Sequence, residues 1–226
     1  MRIVLFILFT IIIIVLHFNK VDNTITEEDI VYIKKIFPKI NHLESDAKFK
    51  DEIELINKIQ QNAILNTLAG LGSIPQNMPR EPKDIFLSNR GACVERSRLI
   101  EKSLRYFGFK TKHIAIYSTE KTNSSFRSLI TKNNRSHALT EVLTSKGWMV
   151  VDSTNIWVGL SIDNMPLDIS QIQQKHTVYL KKPMEDILNE NFTFLYGVYS
   201  RHGKYYYPYT FIPDIEYNEF YSNFFN

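Results

Sequence analysis

One thiol, one imidazole and one carboxylate lie where their chemistry could be combined. Cys93 is the only cysteine of the chain and directly precedes a segment, 94–108, whose apolar spacing and final glycine predict a helix. The positive end of a helix dipole favours a thiolate at that position. His137 opens one predicted strand, and Asp152 closes the next. We therefore predict that Cys93, His137 and Asp152 are the catalytic residues of a cysteine nucleophile.

A short polar turn, 144–147, joins the two predicted strands into a β-hairpin. A turn centred between its two middle residues places Asp152 opposite Leu139 and His137 opposite Thr154. His137 and Asp152 then share one face of the hairpin, diagonally opposed and about 7–8 Å apart at the backbone. We expect the carboxylate to accept a hydrogen bond from Nδ1 of the imidazole, which leaves Nε2 for the thiol.

These groups favour acyl chemistry. The Cys93 thiolate would attack an amide or ester carbonyl to form a thioester, and His137 would protonate the leaving amine and then activate the acceptor. The backbone N–H of Cys93 is a candidate donor to the oxyanion, and the side chains of Gln76 and Asn89 are candidates for a second donor. Trp148 is expected to pack in the core near the site.

A purely structural role for the same residues is the alternative. Cys93 could be a small buried hydrophobic residue, with His137 and Asp152 serving only in packing, but three separate positions would then have to coincide. We expect no metal and no other cofactor, because His42, His176 and His202 show no spacing that would build a metal site.

Length and charge limit the remaining function classes. The chain has 226 residues, and the about 200 that follow its N-terminal segment are enough for one domain with a hydrophobic core. The formal net charge is only +3, and no basic stripe with interleaved aromatic residues is present in the sequence. We therefore expect no nucleic-acid partner.

The N-terminal segment has the pattern of an export signal. Arg2 precedes an apolar run over 3–18, and no small residues follow it to form a cleavage site, which favours an uncleaved anchor. The run spans about 24 Å as a helix, short of the ~30 Å membrane core, which favours a cleaved signal peptide. We expect residues 1–22 to be one or the other. The globular part is then extracytoplasmic, either membrane-anchored or, after cleavage, secreted or periplasmic.

The next segment predicts helices. A capping box at Thr26–Asp29 starts one helix, and Ser45 is expected to cap a second, so residues 23–84 form an N-terminal helical part. Its prolines predict that 76–83 is not helical.

The remaining segments predict strands and loops. A strand is expected over 111–117, a long mobile polar loop over 118–136 and a further strand over 176–180. The last part, 158–226, is rich in aromatic residues, which is typical of strands that complete the core of the same domain. The alternative interpretation of the densest aromatic run, 205–211, is a platform on which sugars or a peptide stack.

Four segments of the predicted core carry a family resemblance: Gly91-Ala92-Cys93, Phe107-Gly108-Phe109, 136–142 and 147–152. Together they resemble the transglutaminase-like superfamily, a branch of the papain-like thiol enzymes, over about residues 85–157. The resemblance implies an α+β fold in which a catalytic helix packs on an antiparallel sheet, with Cys93, His137 and Asp152 as the triad. Members of the superfamily include protein crosslinkers, cysteine peptidases, peptide N-glycanases and catalytically inactive scaffolds.

Two functions remain open at this point. The first is a thiol enzyme that acts on amide bonds of peptides or cell-envelope polymers, by hydrolysis or by acyl transfer to an amine. The second is a non-catalytic binding or assembly protein that retains the fold.

Overall fold

The computed structural model describes residues 2–67, 71–175, 179–202, 204, 205, 207 and 214–225, and shows an α+β fold. Within these ranges the helices are α1 (Arg2–Asn19), α2 (Glu27–Ile36), α3 (Phe49–Leu65), α4 (Pro82–Ser88), α5 (Cys93–Tyr106), α6 (Ser125–Ile130), α7 (Ile169–Gln173) and α8 (Tyr217–Phe225). The strands are β1 (Lys110–Ser118), β2 (Ser136–Thr144), β3 (Gly147–Asp152), β4 (Phe192–Tyr196), β5 (Val198–Tyr199) and β6 (Asp214–Ile215).

The main sheet has four antiparallel strands in the order β3-β2-β1-β4. The predicted hairpin is confirmed with its register, because Asp152 pairs with Leu139 and Trp148 with Leu143. The turn closes at Gly147, whose φ of 132° is a conformation that glycine adopts without steric cost. A slip by one residue would have moved Asp152 to the other face of the sheet, so this register positions the site.

Helix α5 packs on one face of this sheet. Leu99, Ile100 and Leu104 of α5 are fully buried in a core cluster that also contains residues of α2, α3, β2 and β3. Ile114 and Ile116 of β1 point into a second cluster, on the opposite face. The helix ends before Gly108, whose φ of 99° fits the predicted C-terminal glycine.

Two predicted helix boundaries were wrong. Helix α3 begins at Phe49 and not after Ser45, because the Asp51 carboxylate accepts the Lys48 backbone N–H at 2.8 Å and so completes the N-terminus there. Helix α4 begins at Pro82, inside the segment predicted to be non-helical. Proline is compatible with the first helical position because a backbone N–H at that position has no acceptor within the helix, so its absence costs no hydrogen bond.

The polar segment 118–136 contains a helix and is not simply a loop. The Ser124 hydroxyl caps α6 by accepting the Arg127 backbone N–H, and the Asn134 amide donates to the backbone carbonyls of Ser118 and Ser128. The polar residues that suggested a loop here instead form hydrogen bonds with backbone groups at the ends of a short helix.

The aromatic C-terminal part contributes one strand to the main sheet. Strand β4 pairs with β1, as expected for strands that complete the core, whereas the last residues form helix α8. Of the strand predicted over 176–180, residues 176–178 lie outside the described residues, and Tyr179 forms an isolated bridge with Ser161. Most of the run 205–211 also lies outside them.

Helix α1 carries apolar side chains that are 41–70 % exposed, with Leu16 and Phe6 at the two ends of that range. Its C-terminal end is attached to the globular part, where the Tyr217 hydroxyl donates to the Leu16 carbonyl at 3.0 Å and Phe18 stacks on His202. Within the described residues, no helix combines the length and apolar character needed to cross a membrane.

Candidate thiol site

The thiol lies at the first position of a helix. Ala92 is the N-cap of α5, and Cys93 is the first helical residue. The Glu95 carboxylate accepts the Ala92 N–H at 3.1 Å, so it completes the N-terminus. The N–H of Cys93 belongs to the first turn, where no intrahelical acceptor exists, so it remains available to a ligand.

The imidazole and the carboxylate lie together as the hairpin register requires. His137 at the start of β2 is buried, and its Nε2 lies 2.9 Å from Oδ1 of Asp152 at the end of β3. The prediction that Nδ1 would bind Asp152 was therefore wrong. The two residues are diagonally opposed across the hairpin, and Nε2, the ring nitrogen farther from the backbone, spans that separation. Nδ1 is left for the thiol.

The Asp152 carboxylate is held by its own loop. It accepts the Thr154 backbone N–H at 3.0 Å and the Asn155 side-chain amide at 3.2 Å. The Gln60 amide of α3 donates to the backbone carbonyls of Asp152 at 2.7 Å and of Trp157 at 2.6 Å. Gln60 is fully buried, and it fixes the backbone that carries the carboxylate.

The electrostatics of the three groups favour a charged pair. Burial raises the pKa of the Cys93 thiol, but a hydrogen bond with His137, the charge of that ring and the Ala138 backbone N–H outweigh it and leave the pKa lowered. Burial lowers the pKa of His137, whereas its bonds to Asp152 and Cys93 raise it to about 10. The pKa of Asp152 is lowered because its bond to His137 outweighs burial. The arrangement thus favours thiolate, imidazolium and carboxylate.

A tyrosine from the C-terminal part covers the thiol. The Tyr205 hydroxyl lies 3.8 Å from Cys93 Sγ, and the ring is buried. The Tyr117 hydroxyl of β1 donates to the Tyr205 backbone carbonyl and holds this segment against the sheet. The aromatic run was predicted mainly as core, so its contact with the thiol was missed.

The other predicted residues form no hydrogen bond with the thiol or the imidazole in the described part of the chain. Gln76 and Asn89 are exposed, and the side-chain hydrogen bonds of Cys93 and His137 go to one another, to Tyr205 and to Asp152. Asn89 ends α4 with a φ of 51°. Trp148 lies at the turn end of β3, four residues from Asp152 and thus about 13 Å along the strand. No group of three potential ligand side chains is placed to hold a metal ion within the described ranges.

Helix, hairpin and the three side chains together define the α+β architecture of a papain-like thiol protein. The model of the transglutaminase-like superfamily matches residues 44–153, from the segment before α3 to just beyond Asp152. This part of the chain belongs to that superfamily, in which a Cys-His-Asp core is general and some members are non-catalytic. Comparison with curated proteins found no match.

Proposed function

We propose that this protein is a thiol enzyme that acts on amide bonds of peptides or cell-envelope polymers through a thioester on Cys93. The observation that supports it best is the bond between His137 and Asp152, at 2.9 Å, beside a thiol whose pKa is lowered at the start of α5. A merely structural cysteine needs neither feature.

The chemistry follows from the positions of these groups. The Cys93 thiolate attacks the carbonyl carbon, and the first-turn N–H of Cys93 donates to the oxyanion. As the C–N bond breaks, the imidazolium of His137 gives its proton to the leaving amine, and a thioester remains. The now neutral imidazole removes a proton from water or an amine, which attacks the thioester and restores the thiolate and the imidazolium. Asp152 orients the ring throughout and stabilises its charge.

Hydrolysis and acyl transfer differ only in the acceptor. The test is incubation of the full chain with a peptide library and a labelled primary amine, followed by mass spectrometry. Label on glutamine or another carbonyl supports transfer, and free carboxylate alone supports a peptidase or amidase. The matched control is Cys93→Ala, which should abolish both products, and product formed by that variant would contradict the proposal.

The second candidate is a binding protein that retains the fold, and one contact favours it. Tyr205 lies against the thiol, so part of the surface of Cys93 is covered. Alkylation of Cys93 by iodoacetamide at pH 6 separates the two functions. A reactive thiol supports the enzyme, because only a thiolate reacts at this pH. An unreactive thiol together with full biological function of Cys93→Ala supports the binding protein.

We further propose that α1 associates the protein with a membrane and that the globular part lies outside the cytoplasm. The support is the exposure of apolar side chains around α1, which a lipid phase would cover on all sides. Flotation with phospholipid vesicles tests the association, with Ile7→Asp/Ile14→Asp as the variant expected to stay unbound. Protease digestion of intact cells tests the side, since an extracytoplasmic domain is degraded without lysis.

A further inference from the structure

Arg96 is a buried cation without a carboxylate partner. Four arginine and lysine side chains are buried among the described residues, and three of them have a carboxylate within 4.0 Å. Those three pairs are Arg80 with Glu95 at 3.0 Å, Arg98 with Glu81 at 2.9 Å, and Lys102 with Asp29 at 2.6 Å. All aspartates and glutamates of the chain lie within the described residues. A buried, unpaired charge is costly, so its position calls for a function.

The contacts of Arg96 fix its guanidinium without neutralising it. Nε donates to the Thr67 hydroxyl at 2.8 Å, and Nη2 donates to the backbone carbonyls of Thr67 at 2.9 Å and Ile64 at 3.3 Å. Gly91 makes room for this arrangement, because a Cβ there would lie 2.5 Å from the Thr67 side chain and 3.1 Å from Arg96 Nε. The glycine that precedes the thiol thus accommodates the arginine that follows it.

The anionic groups whose charges act on Arg96 belong to the site. Arg96 follows Cys93 by three residues on α5, a spacing that places two side chains on one helix face with about 5–6 Å between their Cβ atoms. Burial lowers the pKa of Arg96, and the charges of Cys93 and Asp152 oppose that effect.

Charge balance shows what the arginine can do. A thiolate, an imidazolium and a carboxylate carry a net charge of about −1 in a buried site, which favours return of a proton to the thiolate. With Arg96 the net charge is about zero. We infer that Arg96 is the fourth charged group of the site and acts as a positioning residue that stabilises the Cys93 thiolate. This inference rests on the proposed function.

The groups that act on the thiol come from several elements. His137 and the Ala138 backbone N–H of β2 and Tyr205 of the C-terminal part form hydrogen bonds with it, whereas Arg96 of α5, held by the neutral Thr67, interacts with the charges of Cys93 and of Asp152 of β3. Of the two cations, His137 loses its charge as pH rises, whereas an arginine keeps it. Arg96 is therefore the constant part of the stabilising charge.

The test is the pH dependence of Cys93 alkylation by iodoacetamide, measured on the full chain. Arg96→Gln should move the midpoint of the rate-against-pH curve upward by about 1 pH unit or more. Turnover should fall most at low pH and recover above the new midpoint. The matched control is Arg90→Gln, which removes the same charge three residues before the thiol, where the side chain donates to the carbonyls of Leu71 and Ser73. Its midpoint should not move.

Arg96→Lys tests whether the charge of Arg96 or its hydrogen bonds stabilise the thiolate. It also replaces Arg96→Gln as the test variant if Arg96→Gln does not fold. A lysine keeps the charge and loses the forked contacts to the carbonyls, so its midpoint should stay within about 0.5 pH unit of the wild type. A midpoint that does not move in folded Arg96→Gln, or one that moves by about 1 pH unit or more in Arg96→Lys, overturns the inference. A wild-type midpoint near ~8.5 without turnover would instead overturn the proposed function.

Discussion

Helix α5 carries two buried polar networks that differ in how their charges are paired. Around Cys93 and Arg96, the cation has no carboxylate within 4.0 Å in the described part of the chain. Farther along the helix, Arg98, Lys102 and Arg105 each contact two carboxylates within 4.0 Å. A network of fully paired charges resists any change of protonation and acts in stability. A network with an unmatched cation can hold an extra negative charge, which is what a thiolate requires.

The paired network connects distant parts of the chain. The Asn23 amide, just beyond α1, donates to Glu101 of α5 at 3.0 Å and to Glu219 of α8 at 2.7 Å. The Tyr199 hydroxyl lies 2.7 Å from Glu101 and 3.0 Å from Glu219. Burial and the neighbouring charge of Glu101 raise the pKa of Glu219 well above its usual range. The network holds both ends of the globular part on α5.

Of the changes considered, neutralising Asp152 in the network around Cys93 and Arg96 should have the largest effect. That effect should be a loss of activity. Asp152→Asn keeps the shape of the side chain but removes the charge that stabilises the His137 imidazolium. We expect kcat/KM for peptide cleavage or amine incorporation to fall by about 10³-fold or more, while the protein stays folded.

Asp214 offers a matched control, since its Oδ1 lies 2.6 Å from Nδ1 of His202 and forms a second histidine–aspartate pair without a thiol. Asp214→Asn should leave the midpoint of Cys93 alkylation in place. Equal loss of activity in the two variants would indicate that Asp152 acts through stability alone.

Removing a cation from the paired network of Arg98, Lys102 and Arg105 should lower the free energy of unfolding and leave the reactivity of Cys93 unchanged. Arg98→Met leaves Glu81 and Glu101 without their main cation, and breaking a buried pair costs about 3–5 kcal/mol. Denaturant unfolding measures this loss as a decrease in the free energy of unfolding. The alkylation midpoint of the folded fraction should match the wild type, and a midpoint shifted as in Arg96→Gln would show that the two networks are one.

A single methyl group added at Gly91, at the boundary of the site, should change both the free energy of unfolding and the alkylation midpoint of Cys93. Gly91→Ala places a Cβ 2.5 Å from the Thr67 side chain, so Thr67 and the guanidinium of Arg96 must move. Overpacking of this kind costs about 1–3 kcal/mol. We expect that loss in the free energy of unfolding together with a small upward shift of the alkylation midpoint. The stability loss without any shift would mean that the Thr67 contact does not position Arg96.

Local sequence rules predicted the elements that carry the proposed triad. A short turn fixed the hairpin register and so brought His137 to Asp152, and the position before a helix placed Cys93 at its N-terminus. The ring nitrogen was predicted wrongly because strand register sets backbone separation but not side-chain rotamers.

Contacts between distant segments could not be predicted from one sequence. Tyr205 reaches Cys93 across 112 positions, and Gln60 reaches the loop of Asp152 across 92. Gln60 did leave a signal, since it is a polar residue on the buried face of α3. Arg96 left none, because an arginine in a polar helix looks like a solvated charge until its burial is known.

The smallest effect is expected at His113, which lies beside the paired network. Its Nδ1 is 3.0 Å from the Ser97 hydroxyl, and its ring stacks on Tyr199. Burial lowers the pKa of His113 to about 4, with the Glu101 charge opposing that shift. In the unfolded chain this ring binds a proton below its pKa of about 6.5, whereas in the folded chain it does so only near pH 4. The free energy of unfolding therefore decreases as pH falls through that window. Between pH 7 and 5.5 this amounts to about 1 kcal/mol. His113→Gln should reduce the pH dependence of the free energy of unfolding by that amount, and an unchanged dependence would show that the ring is protonated in the folded protein.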